Sequence, residues 1–62
     1  MRVQIPAYTD RWMMGDRYGE VIKTKRFIPK LFDVAPEQDL AYVKLDISGK
    51  TIKVWLNDCT VL

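Results

Sequence analysis

The residues best suited to molecular recognition lie in two consecutive runs, residues 41–46 and 51–56. Each run alternates apolar with polar positions, and the outward positions carry Tyr42 and Lys44 in the first run and Lys53 and Trp55 in the second. Aromatic rings stack on nucleic-acid bases, and ammonium groups pair with phosphates. Paired as strands, the two runs predict a basic-aromatic binding face.

The same face also has a structural interpretation. Tyr42 and Trp55 form an ordinary cross-strand aromatic pair in that view, or residues 1–15 cover them, with solvated lysines beside them. Lys44 and Lys53 are expected to oppose one another, which costs a few tenths of a kcal/mol (about 0.2–1) unless an anion or a carboxylate offsets it. This repulsion favours a partner.

A second basic group lies upstream of the two runs. Lys23, Lys25 and Arg26 crowd one predicted strand, with Lys30 beyond its end. Together with Arg17 they suit a stripe that faces phosphates. A strand edge protected by charge against aggregation explains the same residues, so both interpretations stay open.

The residues needed for catalysis are absent or isolated. The chain has no histidine and one cysteine, Cys59, which leaves nucleophilic systems based on imidazole without their base. The run Ser48-Gly49-Lys50-Thr51 ends like a phosphate-binding P-loop, but Lys44 stands where that motif requires glycine. We expect a non-enzymatic protein with no cofactor, no metal and no small-molecule substrate.

Length and composition limit the fold to one small domain, residues 1–62. The chain is 48% hydrophobic and 29% charged with a net charge of +2, which is typical of a packed domain and too weakly basic to identify a polyanionic partner. No run approaches a membrane span or a signal peptide, and a secreted chain of this size usually carries paired cysteines. We therefore expect a cytoplasmic protein without a membrane partner.

The two recognition runs predict a central hairpin at about residues 40–56. With Ser48-Gly49 as a two-residue loop, Leu45 faces Ile52, Val43 faces Val54 and Ala41 faces Leu56 on the buried side. On the outward side, this register places Tyr42 opposite Trp55 and Lys44 opposite Lys53.

Shorter elements are expected on both sides of this hairpin. A strand over 18–26 follows a turn at 15–19, with Val21 pointing inward. The adjacent apolar pair Val21-Ile22 is explained by a second layer, by a neighbouring molecule or by a bulge at Gly19. Residues 10–14 are one helical turn or a short extended piece. The remaining expectations are a strand around Val3 and Ile5, an edge strand at 27–32 limited by Pro29, a turn or 3₁₀ segment at 57–59 and a last strand at 60–62.

Five or six short antiparallel strands with no long helix predict an all-β fold. In a chain of this size such strands bury one face well by curling into a small barrel. Residues 1–14 form an N-terminal strand or arm in this prediction, and residues 15–62 form the barrel core.

The glycine-turn-strand pattern resembles a known group of folds. Gly15-Asp16-x-x-Gly19-x-Val21 and Val43-x-Leu45-Asp46-x-Ser48-Gly49-Lys50 are similar to small Src-homology-type (SH3-like) barrels, including KOW and Tudor-like modules. The resemblance implies binding of RNA, of ribosomal or transcription proteins, or of methylated side chains. Residues 12–21 also resemble small uncharacterised phage and prophage proteins, which implies no activity but suggests the host cytoplasm.

Two functions remain open from the sequence. The first is an interaction module that binds RNA or single-stranded DNA through Tyr42, Lys44, Lys53 and Trp55, with Lys23, Lys25 and Arg26 beside them. The second is a structural component that forms homo-oligomers or binds a virion or host protein. Its contact residues are expected to be Trp12, Met13, Met14, Ile22 and Phe32.

Overall fold

The computed structural model describes residues 1–27 and 38–62. Most of the predicted edge strand at 27–32, with Lys30 and Phe32, lies outside the described residues. The described elements are β1 (Arg2–Gln4), helix α1 (Asp10–Met13), β2 (Tyr18–Phe27), β3 (Gln38–Leu45), β4 (Thr51–Trp55), a 3₁₀ turn (Leu56–Asp58) and β5 (Thr60–Val61). The predicted all-β class is confirmed, with one short helix.

The strands form a single antiparallel sheet in the order β4-β3-β2-β1-β5. Within residues 1–27 and 38–62 the two outer strands do not pair with each other, so the sheet stays open and the predicted closed barrel is wrong. The shortness of β5 gives a physical reason, because it has only two residues and pairs with β1 along one side, so it offers β4 almost no edge to pair with. Residues 56–59 alone join β4 to β5, so the two edges lie within about 18 Å of each other.

The core lies on one face of this sheet, called here the inner face. Among the described residues, six apolar side chains at alternate positions of the predicted strands form its buried cluster: Val3, Ile5, Ala41, Val43, Leu45 and Val54. Trp12, Val21, Ile52, Leu56 and Cys59 pack around them while staying partly exposed. Val21 therefore points inward, as predicted.

The hairpin of β3 and β4 forms with a register that differs from the prediction. Val43 opposes Ile52 and Ala41 opposes Val54, two residues away from the expected pairs. The connection is five residues long, from 46 to 50, and Leu45 N–H donates to the Lys50 carbonyl (2.9 Å) at its base. Because the shift is an even number of residues, every side chain keeps its predicted face.

Asp16 is the reason for this longer connection. Its buried carboxylate accepts hydrogen bonds from the backbone N–H groups of Ile47 (3.2 Å) and Ser48 (3.0 Å). Gly49 has a φ of +71°, a conformation that glycine adopts at little cost, and it closes the turn.

Helix α1 settles the alternative at residues 10–14 in favour of the helical turn. The Thr9 hydroxyl oxygen accepts a hydrogen bond from the Trp12 N–H (3.4 Å) and caps the helix, as a threonine at this position does. The helix is only four residues long. In the described part of the chain no helix has the length and apolar character needed to cross a membrane.

Candidate functional site

The outward side chains of β2, β3 and β4 form a continuous surface, called here the outer face. Register pairs Lys23 with Tyr42 and Tyr42 with Lys53, so these three residues lie side by side across the three strands. One residue pair further along, Lys25, Leu40 and Trp55 form a parallel row. Five of these six residues are basic or aromatic.

Tyr42 stands between two ammonium groups. Lys23 Nζ lies 5.4 Å and Lys53 Nζ lies 5.6 Å from the centre of the Tyr42 ring. Each distance is within the range of a cation–π interaction, which attracts the ammonium to the ring electrons. The ring is partly buried while both lysines are exposed, so the charges are available to a partner.

Trp55 has an aromatic neighbour that the sequence did not indicate. The rings of Phe27 and Trp55 meet edge to face, with centroids 5.5 Å apart and planes inclined by 68°. The register sets Leu40 opposite Trp55 on the intervening strand. Phe27 is 44% exposed, so this end of the outer face presents an accessible apolar surface.

The structure separates two of the predicted site residues from the rest. Lys44 lies opposite Thr51 and Glu20, so the predicted Lys44–Lys53 opposition is wrong because the hairpin register is shifted by two residues. Arg26 alternates away from Lys25 and pairs with Asp39, with 3.3 Å between Nη1 and the carboxylate. Lys44 is therefore a peripheral member of the outer face, and Arg26 projects from the opposite side.

A β-bulge decides which lysines share the face of Tyr42. The ladder between β2 and β3 shifts between Val21 and Lys23, leaving Ile22 as the additional residue. In a regular strand Ile22 takes the place opposite Tyr42, and Lys23 and Lys25 turn toward the inner face. One alternative from the sequence placed a bulge at Gly19, and its actual place three residues later, at Ile22, brings both lysines beside the aromatic rings.

The N-terminal segment does not cover the outer face through its tryptophan. Trp12 packs against the core cluster on the inner side, with the Arg17 guanidinium 4.7 Å from its ring centre. Trp12 is therefore not available to cover Tyr42 or Trp55, and cover by other residues of the 1–15 segment stays a prediction. The predicted cross-strand pair of Tyr42 and Trp55 is wrong, because the shifted register sets Tyr42 opposite Lys53 and Trp55 opposite Leu40.

Charge on the outer face is unevenly distributed. Among the outward strand positions of β2, β3 and β4, four carry lysine and one, Glu20, carries a carboxylate. Glu20 lies opposite Lys44, and its carboxylate accepts a hydrogen bond from the terminal amino group of Met1 (2.8 Å). The part of the face around Tyr42 and Trp55 is thus basic, as a surface for an anionic partner requires.

Several of the apolar residues predicted to mediate self-association or protein binding are also exposed. Met13 is 83% exposed, Met14 72% and Ile22 57%. Trp12, by contrast, belongs to the periphery of the core. The two methionines stand at the end of α1, where flexible thioether side chains form an adaptable contact surface.

The acidic side chains and Cys59, which the sequence analysis considered for catalysis and rejected, do not come together in the structure. In residues 1–27 and 38–62 no three cysteine or acidic side chains converge in a way that suits a metal ion. Burial raises the pKa of the Cys59 thiol, and its sulfur lies 3.6 Å from the Trp55 carbonyl oxygen. A thiol with a raised pKa is a poor nucleophile at neutral pH.

Two features of the structure escaped the sequence analysis. Phe27 was assigned to an edge strand, and alternation from Lys23 through Lys25 places it on the outer face once the bulge is located. Tyr8 donates a hydrogen bond to the Asp58 carboxylate, which raises the pKa of Tyr8 to about 12 and links the chain after β1 to the 3₁₀ turn. No local pattern indicates this pair, because its members are 50 residues apart.

Comparison with known proteins found no matching family model, no similar curated protein and no similar solved structure. The resemblances to SH3-like barrels and to phage proteins therefore stay predictions. What the site does is argued below from its geometry.

Proposed function

We propose that this protein is a non-enzymatic interaction module that binds single-stranded nucleic acid through its outer face. The observation that carries the proposal is the position of Tyr42 between the ammonium groups of Lys23 and Lys53, at 5.4 and 5.6 Å. An aromatic ring flanked by mobile positive charges offers a base a surface for stacking and offers phosphates two partners.

The flatness of the site supports a polymeric ligand rather than a small molecule. The outer face consists of side chains from three antiparallel strands, and no enclosed cavity is found in the described part of the chain. A flexible strand crosses such a surface and makes contacts at several points, whereas small-molecule sites are usually concave. The lone cysteine supports the cytoplasmic location that we propose with this function.

Replacement of the two flanking lysines tests the proposal. We expect the double variant Lys23→Gln, Lys53→Gln to bind a mixed single-stranded oligonucleotide at least about tenfold more weakly than the parent chain. Each lysine–phosphate contact releases counterions from the nucleic acid, and that favourable release is lost with the contact. Binding is measured by fluorescence anisotropy of a labelled oligonucleotide of about 12 nucleotides at low salt.

Lys50 provides the matched control for this experiment. It is exposed and lies three residues from Lys53, but it belongs to the turn and not to the outer face. Lys50→Gln removes the same charge as Lys53→Gln, and we expect the smaller loss of affinity from it. Equal losses from the two single variants would show that net charge, rather than the Tyr42 surroundings, controls binding.

A second function is favoured by one observation, the exposure of Met13 and Met14 at the end of α1. In this alternative the protein is a structural component that binds a copy of itself or another protein through these residues. Light scattering behind size exclusion distinguishes the two functions. An oligomer that Met13→Ser, Met14→Ser converts to a monomer supports the alternative, and a monomer in both chains removes its basis.

A further inference from the structure

We propose that the outer face holds one unpaired base against Phe27 and Trp55 and the adjoining phosphate between Lys23 and Lys53. The ligand class is then a single strand with accessible bases, and not polyanions in general. This inference rests on the proposed function and makes it more specific, because it divides the face into two subsites with different chemistry.

The base subsite is the apolar end of the outer face. The Phe27 and Trp55 rings are inclined by 68°, so they form two sides of an angle rather than a parallel stack. A base that stacks on one ring meets the edge or face of the other, and Leu40, opposite Trp55, provides an aliphatic floor. Stacking of this kind tolerates any base, since every base has a π-face.

The phosphate subsite lies next to it. Lys23 and Lys53 come from strands on opposite sides of β3, and both ammonium groups reach the same ring. The two ammonium groups lie on either side of the Tyr42 ring, at most about 11 Å apart, and a phosphate above that ring attracts both of them. The cation–π interaction with Tyr42 keeps both ammonium groups near its ring in the absence of ligand.

The spacing of the two subsites fits one nucleotide unit. Leu40 and Trp55 are each two residues from the row of Tyr42 and Lys53, and two residues along a strand span about 7 Å. The base and the phosphate of a single nucleotide are separated by a similar length. A strand laid along β3 and β4 therefore places a base on the aromatic end while its phosphate lies between the lysines.

This arrangement discriminates against a duplex. In a double helix the bases are stacked and paired inside, so the Phe27 and Trp55 rings reach no base face unless a base is first unstacked and unpaired, which is unfavourable. The two lysines still attract the backbone of a duplex. Duplex binding is then electrostatic alone and weaker than that of an unpaired strand.

The test compares two probes that carry the same charge. One is a thymidine oligomer of about eight nucleotides and the other is an abasic oligomer of the same length. The protein carries Trp12→Phe, which leaves Trp55 as the single tryptophan, so that its emission reports the base subsite. We expect the thymidine oligomer to bind at least about tenfold more tightly than the abasic one and to be alone in quenching Trp55.

Phe27→Ala and Tyr18→Ala provide a matched pair of variants. Both aromatic side chains are 44% exposed and lie on β2, but Tyr18 stands at the opposite end of the strand from Trp55. We expect Phe27→Ala to weaken binding of the thymidine oligomer several-fold and to leave the abasic oligomer unaffected, whereas Tyr18→Ala changes neither. Circular dichroism confirms that both variants keep the sheet.

The outcomes separate this inference from the proposed function. Equal, lysine-dependent binding of both oligomers without quenching overturns the base subsite and leaves an electrostatic nucleic-acid-binding protein. Binding of neither oligomer overturns the proposed function and the inference together. Quenching that Phe27→Ala does not alter overturns the part assigned to Phe27.

Discussion

Asp16 shows how a single carboxylate selects among the backbone arrangements open to a hairpin. It is 4% exposed and accepts hydrogen bonds from two consecutive N–H groups, those of Ile47 and Ser48. Hydrogen bonds from Ser48, with a smaller effect from Ile47, hold the pKa of Asp16 below its usual value. The fold therefore stabilises the ionised form of the Asp16 side chain relative to its protonated form.

The lowered pKa predicts how the hairpin responds to acid. A carboxylate with a lower pKa in the folded state contributes stability above its unfolded pKa of about 4, and loses that contribution as the pH falls through the folded value. We expect Asp16→Asn to reduce the urea midpoint at pH 7 and the difference from the parent chain to shrink at pH 3. Hydrogen exchange of the Ile47 and Ser48 amides should accelerate in the variant.

Asp10→Asn is the control for this prediction, because Asp10 is exposed at the start of α1. It should leave the hairpin amides unchanged at both pH values. The Gly49 amide provides an internal reference, since its N–H donates to the Leu45 carbonyl and not to Asp16. A difference between Asp16→Asn and the parent chain that stays the same from pH 7 to pH 3 would contradict the role given to the charge.

Gly19 is the second residue whose identity the packing requires. A β-carbon at this position lies 2.6 Å from both the Lys44 carbonyl oxygen and Val43 Cγ1, and backbone cannot move away as a flexible side chain does. We expect Gly19→Ala to lower the free energy of unfolding by about 1–3 kcal/mol, measured by urea denaturation. Thr24→Ala, on an exposed part of the same strand, should change it by about 0.5 kcal/mol or less.

At the scale of elements, alternation in the sequence predicted the faces of β3 and β4 but not their register. Ala41, Val43, Leu45 and Val54 are buried as expected, because apolar residues at every second position define a face by themselves. Register depends on the length of the turn, and Asp16 sets that length from a distance of about 30 positions in the sequence. A pattern read within one hairpin does not contain that information.

The outer face was predicted in part for a related reason. Tyr42, Lys53 and Trp55 follow from the alternation of the hairpin, whereas the position of Lys23 depends on which residue of β2 is bulged. The adjacent apolar residues Val21 and Ile22 indicated a bulge nearby, but sequence alone did not locate it. Phe27 was missed because its face is defined only after the bulge has been counted.

Deletion of Ile22 tests the function assigned to the bulge. Val21 then precedes Lys23 directly, and alternation still points Val21 inward and Lys23 toward Tyr42. Ile22 is 57% exposed, so its loss removes little core burial, and we expect a stability change of about 1 kcal/mol or less. The Lys23 side-chain protons should keep the upfield shifts that the Tyr42 ring produces in NMR spectra.

A change in the NMR shifts of Lys23 after the deletion of Ile22 would contradict this view of β2. Loss of the upfield shifts on Lys23 in a folded variant would show that the bulge itself, through the bend it introduces, positions the lysine. Lys53 is the internal control, because it approaches Tyr42 from the other strand, β4, which the deletion does not touch. Its shifts should be the same in both proteins.

For the whole molecule, the open sheet separates two kinds of surface. The inner face holds the six buried apolar side chains, and the outer face carries four lysines and the accessible rings. The ion pairs Arg2–Asp46 and Arg26–Asp39 are solvent-exposed, and such pairs contribute little to stability because water screens them. Folding therefore depends mainly on apolar burial, and the proposed binding mainly on charge.

This division predicts that salt acts differently on folding and on binding. With two phosphate contacts at Lys23 and Lys53, a tenfold rise in salt should weaken oligonucleotide binding by about 25-fold, while the unfolding free energy changes by about 1 kcal/mol or less. Anisotropy titrations and urea denaturation over the same salt series measure the two quantities. Light scattering in the same series also measures assembly. Assembly through apolar contacts of Met13 and Met14 would not change with salt. Binding that survives the salt series unchanged would contradict the lysine-based site.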